Sequence, residues 1–156
     1  MRTFEGSLAS PTGRFAILAA RFNQNVVDLL VDGAKEGFAS QGVSEESLDL
    51  IWVPGSFEIP LVAKRLAAST KYSAVVCLGA VIRGDTDHYE FIAGEAARGV
   101  MEASLATGVP VIFGILTCAT EEQALDRAGG KEGNKGYDAA LVAIEMADLL
   151  QKLPGK

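Results

Sequence analysis

The sequence contains few of the residues from which metal centres and disulfide frameworks are built, and it lacks long apolar runs. Its 156 residues include one histidine and two cysteines, Cys77 and Cys118, which form no C-x-x-C pair. Because each cysteine lies in or beside an apolar run, we expect buried free thiols in a reducing compartment. No apolar run approaches the roughly 18 residues of a membrane span, and the N-terminal residues hold no apolar stretch of signal-peptide length. We therefore predict a cytoplasmic protein that does not enter a membrane.

Positive charge is also scarce in this chain. Lysine and arginine number 14 against 20 acidic residues, which gives a net charge of −6. No basic cluster is interleaved with aromatic residues, so a nucleic-acid partner is not expected. Apolar residues make up 49% of the chain, and the mean hydropathy is +0.22. Since large exposed apolar patches usually mark association sites, we expect copies of the chain to associate with one another.

Apolar runs alternate with segments of helical periodicity along the whole chain. Four buried strands are predicted, over residues 14–20, 48–53, 74–82 and 111–116. Five helices are predicted between and after them, over about 23–40, 57–69, 89–107 and 120–128 and from the glycine-rich link 129–136 to about 150.

Local signals support two of these helix starts. Asn23 is expected to cap the first helix, and Thr120 with Gln123 gives a T-x-x-Q capping box before the fourth. Strands that alternate with helices predict βαβ units. We therefore expect one domain over residues 1–156, a three-layer α/β/α sandwich around a mainly parallel four-stranded sheet.

A dense polar turn follows the third predicted strand. Residues 81–90 read VIRGDTDHYE and come directly after the apolar run 74–80. Ligands of open parallel sheets bind outside the carboxyl ends of the strands. His88 has a side chain whose ordinary pKa is close to neutrality, which suits a general acid or base. Residues 84–86, before a helix start, offer backbone N–H groups and a hydroxyl to an anion.

Two other interpretations of this turn remain open. It could be an ordinary solvated loop, which is what a charged turn after a strand usually is. It could also bind a divalent metal ion through Asp85, Asp87, His88 and Glu90. Consecutive positions rarely converge on one ion, so the metal interpretation is the weaker one.

Three further segments are candidates for the same site. Glu58 and Phe22 follow predicted strands, and an exposed Phe22 would suit stacking on a planar ring. Alternatively, Glu58 only stabilises a helix N-terminus and Phe22 only packs. Arg127 and Lys135 flank the glycine-rich link and suit a phosphate, although solvated surface charge is the simpler explanation for each. The case for function is stronger when all these groups are taken together.

Five ordered motifs resemble the lumazine synthase family, which catalyses the penultimate step of riboflavin biosynthesis. The motifs are ARFN at 20–23, WVPGSFEIP at 52–60, LGAVIRGDTDHYE at 78–90, FGILT at 113–117 and EQALDRAGGKEGNKGYDA at 122–139. The resemblance implies a flavodoxin-like fold and a transferase that condenses 5-amino-6-ribitylaminouracil with 3,4-dihydroxy-2-butanone 4-phosphate. The products would be 6,7-dimethyl-8-ribityllumazine, phosphate and water. It implies no metal and no organic cofactor.

The resemblance also assigns residues to the pyrimidine substrate. Phe22 would stack on the pyrimidine ring, and the Glu58 carboxylate would accept hydrogen bonds from the ribityl hydroxyls. The remaining assignments to this substrate are pocket contacts from Ser56 and Phe57 and backbone contacts from Ala80, Val81 and Ile82.

A second set of assignments concerns the phosphate substrate and the proton transfers. Asp85 and Thr86 would bind the phosphate through backbone N–H groups and the Thr86 hydroxyl, opposite Arg127. The Asp85 carboxylate is expected to point away, because a carboxylate beside a phosphate is unfavourable. His88 would move protons. Phe113, from a neighbouring subunit, and Lys135 would complete the pocket.

Oligomeric assembly follows from the same resemblance. Family members form pentamers, and some pack twelve pentamers into an icosahedral shell. The link from Arg127 to Lys135 is short and lacks an insertion, which favours the 60-subunit shell; riboflavin synthase is a candidate partner inside it. Three alternatives stay open: a flavin-binding or shell-forming scaffold without turnover, a related archaeal-type riboflavin synthase, and a metal-dependent phosphatase built on Asp85 and Asp87.

Overall fold

A four-stranded, entirely parallel sheet lies at the centre of the computed structural model, which describes residues 1–155. The strands run in the spatial order β2-β1-β3-β4. They are β1 Phe15–Ala20, β2 Leu48–Val53, β3 Ala74–Ile82 and β4 Val111–Cys118. The predicted three-layer, flavodoxin-like architecture is confirmed, and the strand bounds differ from the prediction by at most two residues.

Five α-helices cover the two faces of the sheet. They are α1 Gln24–Ser40, α2 Ile59–Ala68, α3 His88–Thr107, α4 Glu121–Asp126 and α5 Lys135–Lys152. Helices α1 and α5 pack on one face, and α2 and α3 pack on the other. Among the described residues, no helix is both long enough and apolar enough to cross a membrane.

The central strands are buried on both faces, which explains their continuous apolar sequence. In β1, Phe15, Ile17 and Ala19 belong to the core under α1 and α5, whereas Ala16 and Leu18 belong to the core under α2 and α3. Because successive side chains of a strand point to opposite faces of the sheet, a strand that is apolar throughout contributes to both cores. As predicted, Cys77 and Cys118 are buried in these cores as free thiols.

Two segments differ from the prediction. The helix expected from residue 57 is preceded by a 3₁₀ turn, Ser56–Glu58, and begins at Ile59 with a proline in its first turn, where proline is tolerated. The fourth helix ends at Asp126 rather than at residue 128, and the link after it contains an antiparallel hairpin that begins one residue early, β5 Ala128–Gly130 and β6 Gly133–Asn134. Its turn is formed by Lys131 and Glu132, and a glycine with positive φ lies in each flanking strand, Gly129 at 114° and Gly133 at 78°.

The helix starts also correct two capping predictions. Asn23 precedes α1 but its side chain caps nothing; its amide donates instead to the Ala80 carbonyl oxygen over 2.7 Å. The Thr120 hydroxyl accepts from the Gln123 N–H as expected, over 3.2 Å. Gln123, however, accepts from the N–H of Ala119 rather than from that of Thr120, so the capping box is displaced by one residue.

Candidate active site

The carboxyl ends of β1, β2 and β3 open into a cavity of about 610 Å³. The strand-to-helix connections that follow these strands form its walls, which is where the parallel sheet predicts a site. The cavity is lined by Phe22, Asn23, Pro54, Gly55, Ser56, Phe57, Glu58, Ala80, Val81, Ile82, Gly84, Thr86, His88, Tyr89 and Ile92. Predicted contacts from three separate motifs therefore meet in one place.

Two exposed aromatic rings lie at the mouth of this cavity. Phe22 is 72% exposed and Phe57 is 55% exposed. The backbone of Phe22 is held in place because its N–H donates to the Pro54 carbonyl oxygen over 3.0 Å. Exposed aromatic rings at a cavity mouth offer flat apolar surfaces to a planar ligand.

The 3₁₀ turn after β2 adds polar groups to the cavity wall. Ser56 is buried, whereas the Glu58 side chain is exposed. A Cβ on Gly55 would lie 3.1 Å from Glu58 Oε2, so the carboxylate folds over the Gly55 backbone. The turn thus presents a carboxylate that can accept hydrogen bonds beside a buried hydroxyl.

His88 is the first residue of α3 and lines the opposite wall. It is exposed, and its backbone N–H donates to the Thr86 hydroxyl over 3.4 Å. Gly84 and Thr86 also line the cavity, whereas Asp85 and Asp87 are exposed and do not. The exposed position of Asp85 is compatible with a side chain that points away from the cavity, as its assignment requires.

The ends of this turn are fixed by Arg83. Its backbone N–H donates to the Cys118 carbonyl oxygen over 2.9 Å. Its guanidinium carbon lies 4.8 Å from the centre of the Tyr89 ring, and Nη1 lies 3.8 Å from Glu90 Oε1. These contacts connect the end of β3 to the first turn of α3, and so hold the turn between them in shape.

The other predicted site residues lie in a second cavity, of about 480 Å³. Phe113, Arg127 and Lys135 line it, together with residues of β4 and α5, and it shares no lining residue with the first cavity. Arg127 is anchored there because its Nη1 donates to the Gln123 carbonyl oxygen over 3.0 Å. One chain therefore does not bring Arg127 or Lys135 together with His88.

The sheet order explains this separation. β4 is an edge strand, and Phe113 pairs with Cys77 in the middle of β3, away from the carboxyl ends. The family resemblance implies a neighbouring subunit only for Phe113, whereas Arg127 and Lys135 share its cavity. Within one chain, the predicted site is divided into two parts.

The metal interpretation of the polar turn gains no support from the geometry. Within residues 1–155, no group of three or more histidine, cysteine or acidic side chains is placed to hold a metal ion. Glu90, one of the four proposed ligands, faces Arg83 instead.

Neither thiol is activated as a nucleophile. Burial raises the pKa of the Cys77 thiol far above its ordinary range. Burial also raises the pKa of Cys118, an effect that the nearby Arg127 charge only partly opposes. Both cysteines are therefore held protonated, and a protonated thiol is a poor nucleophile.

Several lining residues were not among the predicted contacts. The sequence predicts Asn23 as a helix cap and places Tyr89 and Ile92 in the third helix without assigning them a role. Pro54 and Gly55 lie within a motif and have no assigned contact, whereas Gly84 is expected only as part of the anion-binding turn 84–86. For Asn23, Pro54, Gly55 and Gly84 the signal is a position just after a strand end, which is the ligand-binding edge of a parallel sheet. Tyr89 and Ile92 lie within α3 and carry no such signal.

A comparison with protein families agrees with this geometry. The family model described as 6,7-dimethyl-8-ribityllumazine synthase matches residues 12–151. The matched segment includes all four strands of the parallel sheet and every residue that lines the two cavities.

Proposed function

We propose a catalytic function for this chain, which belongs to the 6,7-dimethyl-8-ribityllumazine synthase family, a family of transferases in riboflavin biosynthesis. Residues 1–156 form one domain. This domain condenses 5-amino-6-ribitylaminouracil with 3,4-dihydroxy-2-butanone 4-phosphate. The products are 6,7-dimethyl-8-ribityllumazine, phosphate and water. The observation that carries this proposal is the cavity in which exposed Phe22, the Glu58 carboxylate and His88 lie on different walls.

The proposed pyrimidine site is the first cavity. Phe22 stacks on the heterocycle, and the strand-end backbone of residues 80–82 provides hydrogen-bonding groups for its edge. The ribityl chain lies along the 3₁₀ turn, where Ser56, Phe57 and Glu58 line the cavity. A carboxylate can accept two or more hydroxyl hydrogen bonds, which suits a polyol.

The proposed phosphate site combines the two cavities. Thr86 supplies a hydroxyl, and the backbone of Asp85 and Thr86 supplies N–H groups just before α3. Arg127, with Lys135 beside it, supplies positive charge from a neighbouring subunit. An arginine can bind a phosphate through two parallel N–H hydrogen bonds. Charge-assisted hydrogen bonds of this kind are about twice as strong as neutral ones.

The proposed mechanism uses position more than nucleophilic attack by the protein. The substrate amine attacks the ketone and loses water to give an imine. Phosphate is then eliminated, and the resulting enol tautomerises to a ketone. The ribityl-bearing nitrogen attacks this ketone and loses a second water to close the ring, and each step moves protons. Holding two reactants in place contributes on the order of 7 kcal/mol or more in well-oriented reactions. His88 transfers protons at an accessible edge of the cavity, which typically contributes about 10²–10⁴-fold.

Assembly is part of this proposal because the site residues are divided between two cavities. We propose a pentamer whose neighbouring subunits join the first cavity of one chain to the second cavity of the next. Large apolar side chains are exposed on α2 and α3, where burial by a neighbouring subunit would stabilise the assembly. They are Leu61, Phe91, Met101 and Leu105.

The larger features of the assembly rest on the family resemblance. We propose a shell of twelve pentamers in the cytoplasm, where free thiols such as those of Cys77 and Cys118 stay reduced. Riboflavin synthase is the candidate partner in its interior.

The test is a two-substrate assay on assembled protein with a chelator present. Lumazine formation is followed by absorbance against an enzyme-free blank, since the reaction also proceeds slowly unaided. We expect acceleration that falls about 10²–10⁴-fold in His88→Ala and is unchanged in Asp87→Asn, which alters a neighbouring exposed side chain outside the cavity. Assembled protein that binds lumazine without accelerating its formation would support the scaffold function instead. Activity that chelation or Asp87→Asn abolishes would support the metal-dependent alternative.

A further inference from the structure

The three residues that connect β1 to α1 are held from both sides. Backbone N–H groups of Arg21 and Phe22 donate to the carbonyl oxygens of Val53 and Pro54, over 2.8 and 3.0 Å. On the other side, the Asn23 side-chain amide donates to the Ala80 carbonyl oxygen over 2.7 Å. The segment therefore bridges the ends of β2 and β3.

Asn23 occupies a backbone conformation that few residues adopt readily. Its φ and ψ are 61° and 44°, in the left-handed region, which asparagine tolerates better than most non-glycine residues. It also precedes a helix without capping it through its side chain. A backbone conformation that is energetically unfavourable is kept only where the surrounding structure fixes it. Residues with such conformations are common at functional sites.

The Asn23 amide acts where the ordinary strand ladder has ended. β1 pairs with β3 from Phe15 opposite Ala74 to Ala19 opposite Leu78, and no further. The side-chain hydrogen bond to Ala80 continues this connection past the end of β1. It fixes the strand-end backbone that our functional proposal places against the heterocycle.

Phe22 depends on the same segment for its orientation. At 72% exposure its ring has little packing to hold it, so the direction of the side chain is set mainly by its backbone. That backbone is fixed by the Pro54 contact on one side and by Asn23 on the other.

We propose that Asn23 is a positioning residue for the pyrimidine substrate, acting through the Ala80 carbonyl group and the orientation of Phe22. This inference rests on the proposed function, and it concerns one substrate only. The phosphate-binding groups at Thr86 and Arg127 lie on other segments and should be unaffected.

Two variants separate the hydrogen bond from the backbone conformation. Asn23→Gly keeps access to the left-handed region and removes the amide, whereas Asn23→Asp keeps the shape and replaces the donor by a carboxylate that faces a carbonyl oxygen. Asn25→Ala is the matched control: it removes an asparagine amide that donates to Glu121 Oε1 over 2.7 Å, and Asn25 does not line the cavity.

We expect the KM for the pyrimidine to rise about three- to tenfold in Asn23→Gly, which is the effect of one lost hydrogen bond, and further in Asn23→Asp. The KM for the butanone phosphate and the kcat should change less than about twofold. Asn25→Ala should change neither KM. Product binding, followed by lumazine fluorescence without turnover, should weaken by the same factor as the pyrimidine KM rises.

The outcomes distinguish this inference from the functional proposal. Wild-type protein without activity contradicts the function itself. Active wild-type protein, with Asn23 variants that bind lumazine unchanged or that raise both KM values equally, contradicts the positioning role. Comparable effects from Asn25→Ala would also contradict it, since they would show a general disturbance of the segment.

Discussion

Ser56 lies directly over Gly79, and its hydroxyl occupies the space that a side chain on that glycine would need. A Cβ built on Gly79 would be 2.5 Å from Ser56 Oγ, with Ile115 and Ala20 next at 3.5 and 3.6 Å. The requirement for glycine here is therefore one of space. Of the described residues, Ser56 is the one polar side chain that is buried, so this contact sets how the 3₁₀ turn rests on β3.

Gly79→Ala should displace the turn that carries Phe57 and Glu58. Overpacking of a core typically costs about 1–3 kcal/mol, and we expect that loss of stability together with weaker pyrimidine binding. The measurement is denaturant unfolding, at one protein concentration, alongside the KM for the pyrimidine.

The partner variant provides the control for this prediction. Ser56→Ala removes the clashing oxygen, so the cost of Gly79→Ala should be much smaller in that background. A double-mutant cycle measures the coupling, which we expect at about 1 kcal/mol or more. If the stability losses of Gly79→Ala and Ser56→Ala are additive in the double variant, the proposed contact is contradicted.

The separation of His88 from Arg127 predicts complementation between two impaired variants. His88→Ala damages the first cavity and Arg127→Met damages the second. Random co-assembly of equal amounts should leave about a quarter of the sites with two intact parts, since each part is intact in half of the subunits. Assayed with butanone phosphate well below its KM, where Arg127→Met is itself impaired, activity should rise above that of either variant after joint dissociation and reassembly. If both cavities of one chain formed a site, mixing would restore nothing.

Arg127 alone should matter chiefly to the phosphate substrate. Arg127→Met removes a charge-assisted contact, so the KM for the butanone phosphate should rise on the order of tenfold or more, with a smaller change for the pyrimidine. Lys131→Met is the matched control, because Lys131 is a 76% exposed cation that pairs with Asp126 at 3.8 Å near the same hairpin. Equal effects of the two substitutions would indicate only a general electrostatic contribution.

The sheet was predictable from the sequence because burial determines its composition. Strand β3 has the predicted bounds, since a strand buried on both faces must be apolar throughout. The hairpin of residues 128–134 was missed for the opposite reason. It contains glycines rather than an alternating pattern, and two of them, Gly129 and Gly133, have positive φ in the strands that flank the turn at residues 131–132.

The candidate site was only partly predictable. Residues at strand ends, such as Phe22 and Glu58, could be placed together because parallel strands end at one edge. The division into two cavities depends on the strand order, which puts β4 at the edge of the sheet. The hydrogen bond between the Asn23 side chain and the end of β3 could not be predicted either, because Ala80 lies 57 positions away in the sequence.

A polar cluster at the opposite end of the sheet gives a pH-dependent contribution to stability. The Tyr72 hydroxyl donates to Asp49 Oδ2 and Arg14 Nη2 donates to Oδ1, each over 2.7 Å. The tyrosine hydrogen bond, then the arginine, holds the pKa of Asp49 below its ordinary value. The same hydrogen bond to Asp49 raises the pKa of Tyr72.

Tyr72→Phe should therefore destabilise the protein by an amount that depends on pH. A carboxyl group whose pKa is lowered by folding stabilises the fold above its ordinary pKa of about 4, and this contribution is lost as the pH falls further. A tyrosine whose pKa is raised contributes below about pH 10 and loses its contribution above it. The difference between wild type and Tyr72→Phe should be largest between these limits, and at most about 1 kcal/mol, since the Asp49 side chain is 41% exposed and water screens the pair. Thermal unfolding across this pH range measures the difference.

Tyr137→Phe is the control, because it removes a hydroxyl that is bonded to the uncharged Ser40. The stability difference between wild type and Tyr137→Phe should not fall at acidic pH. If it falls as much as the difference for Tyr72→Phe does, the Asp49 pair is not the source of the pH dependence.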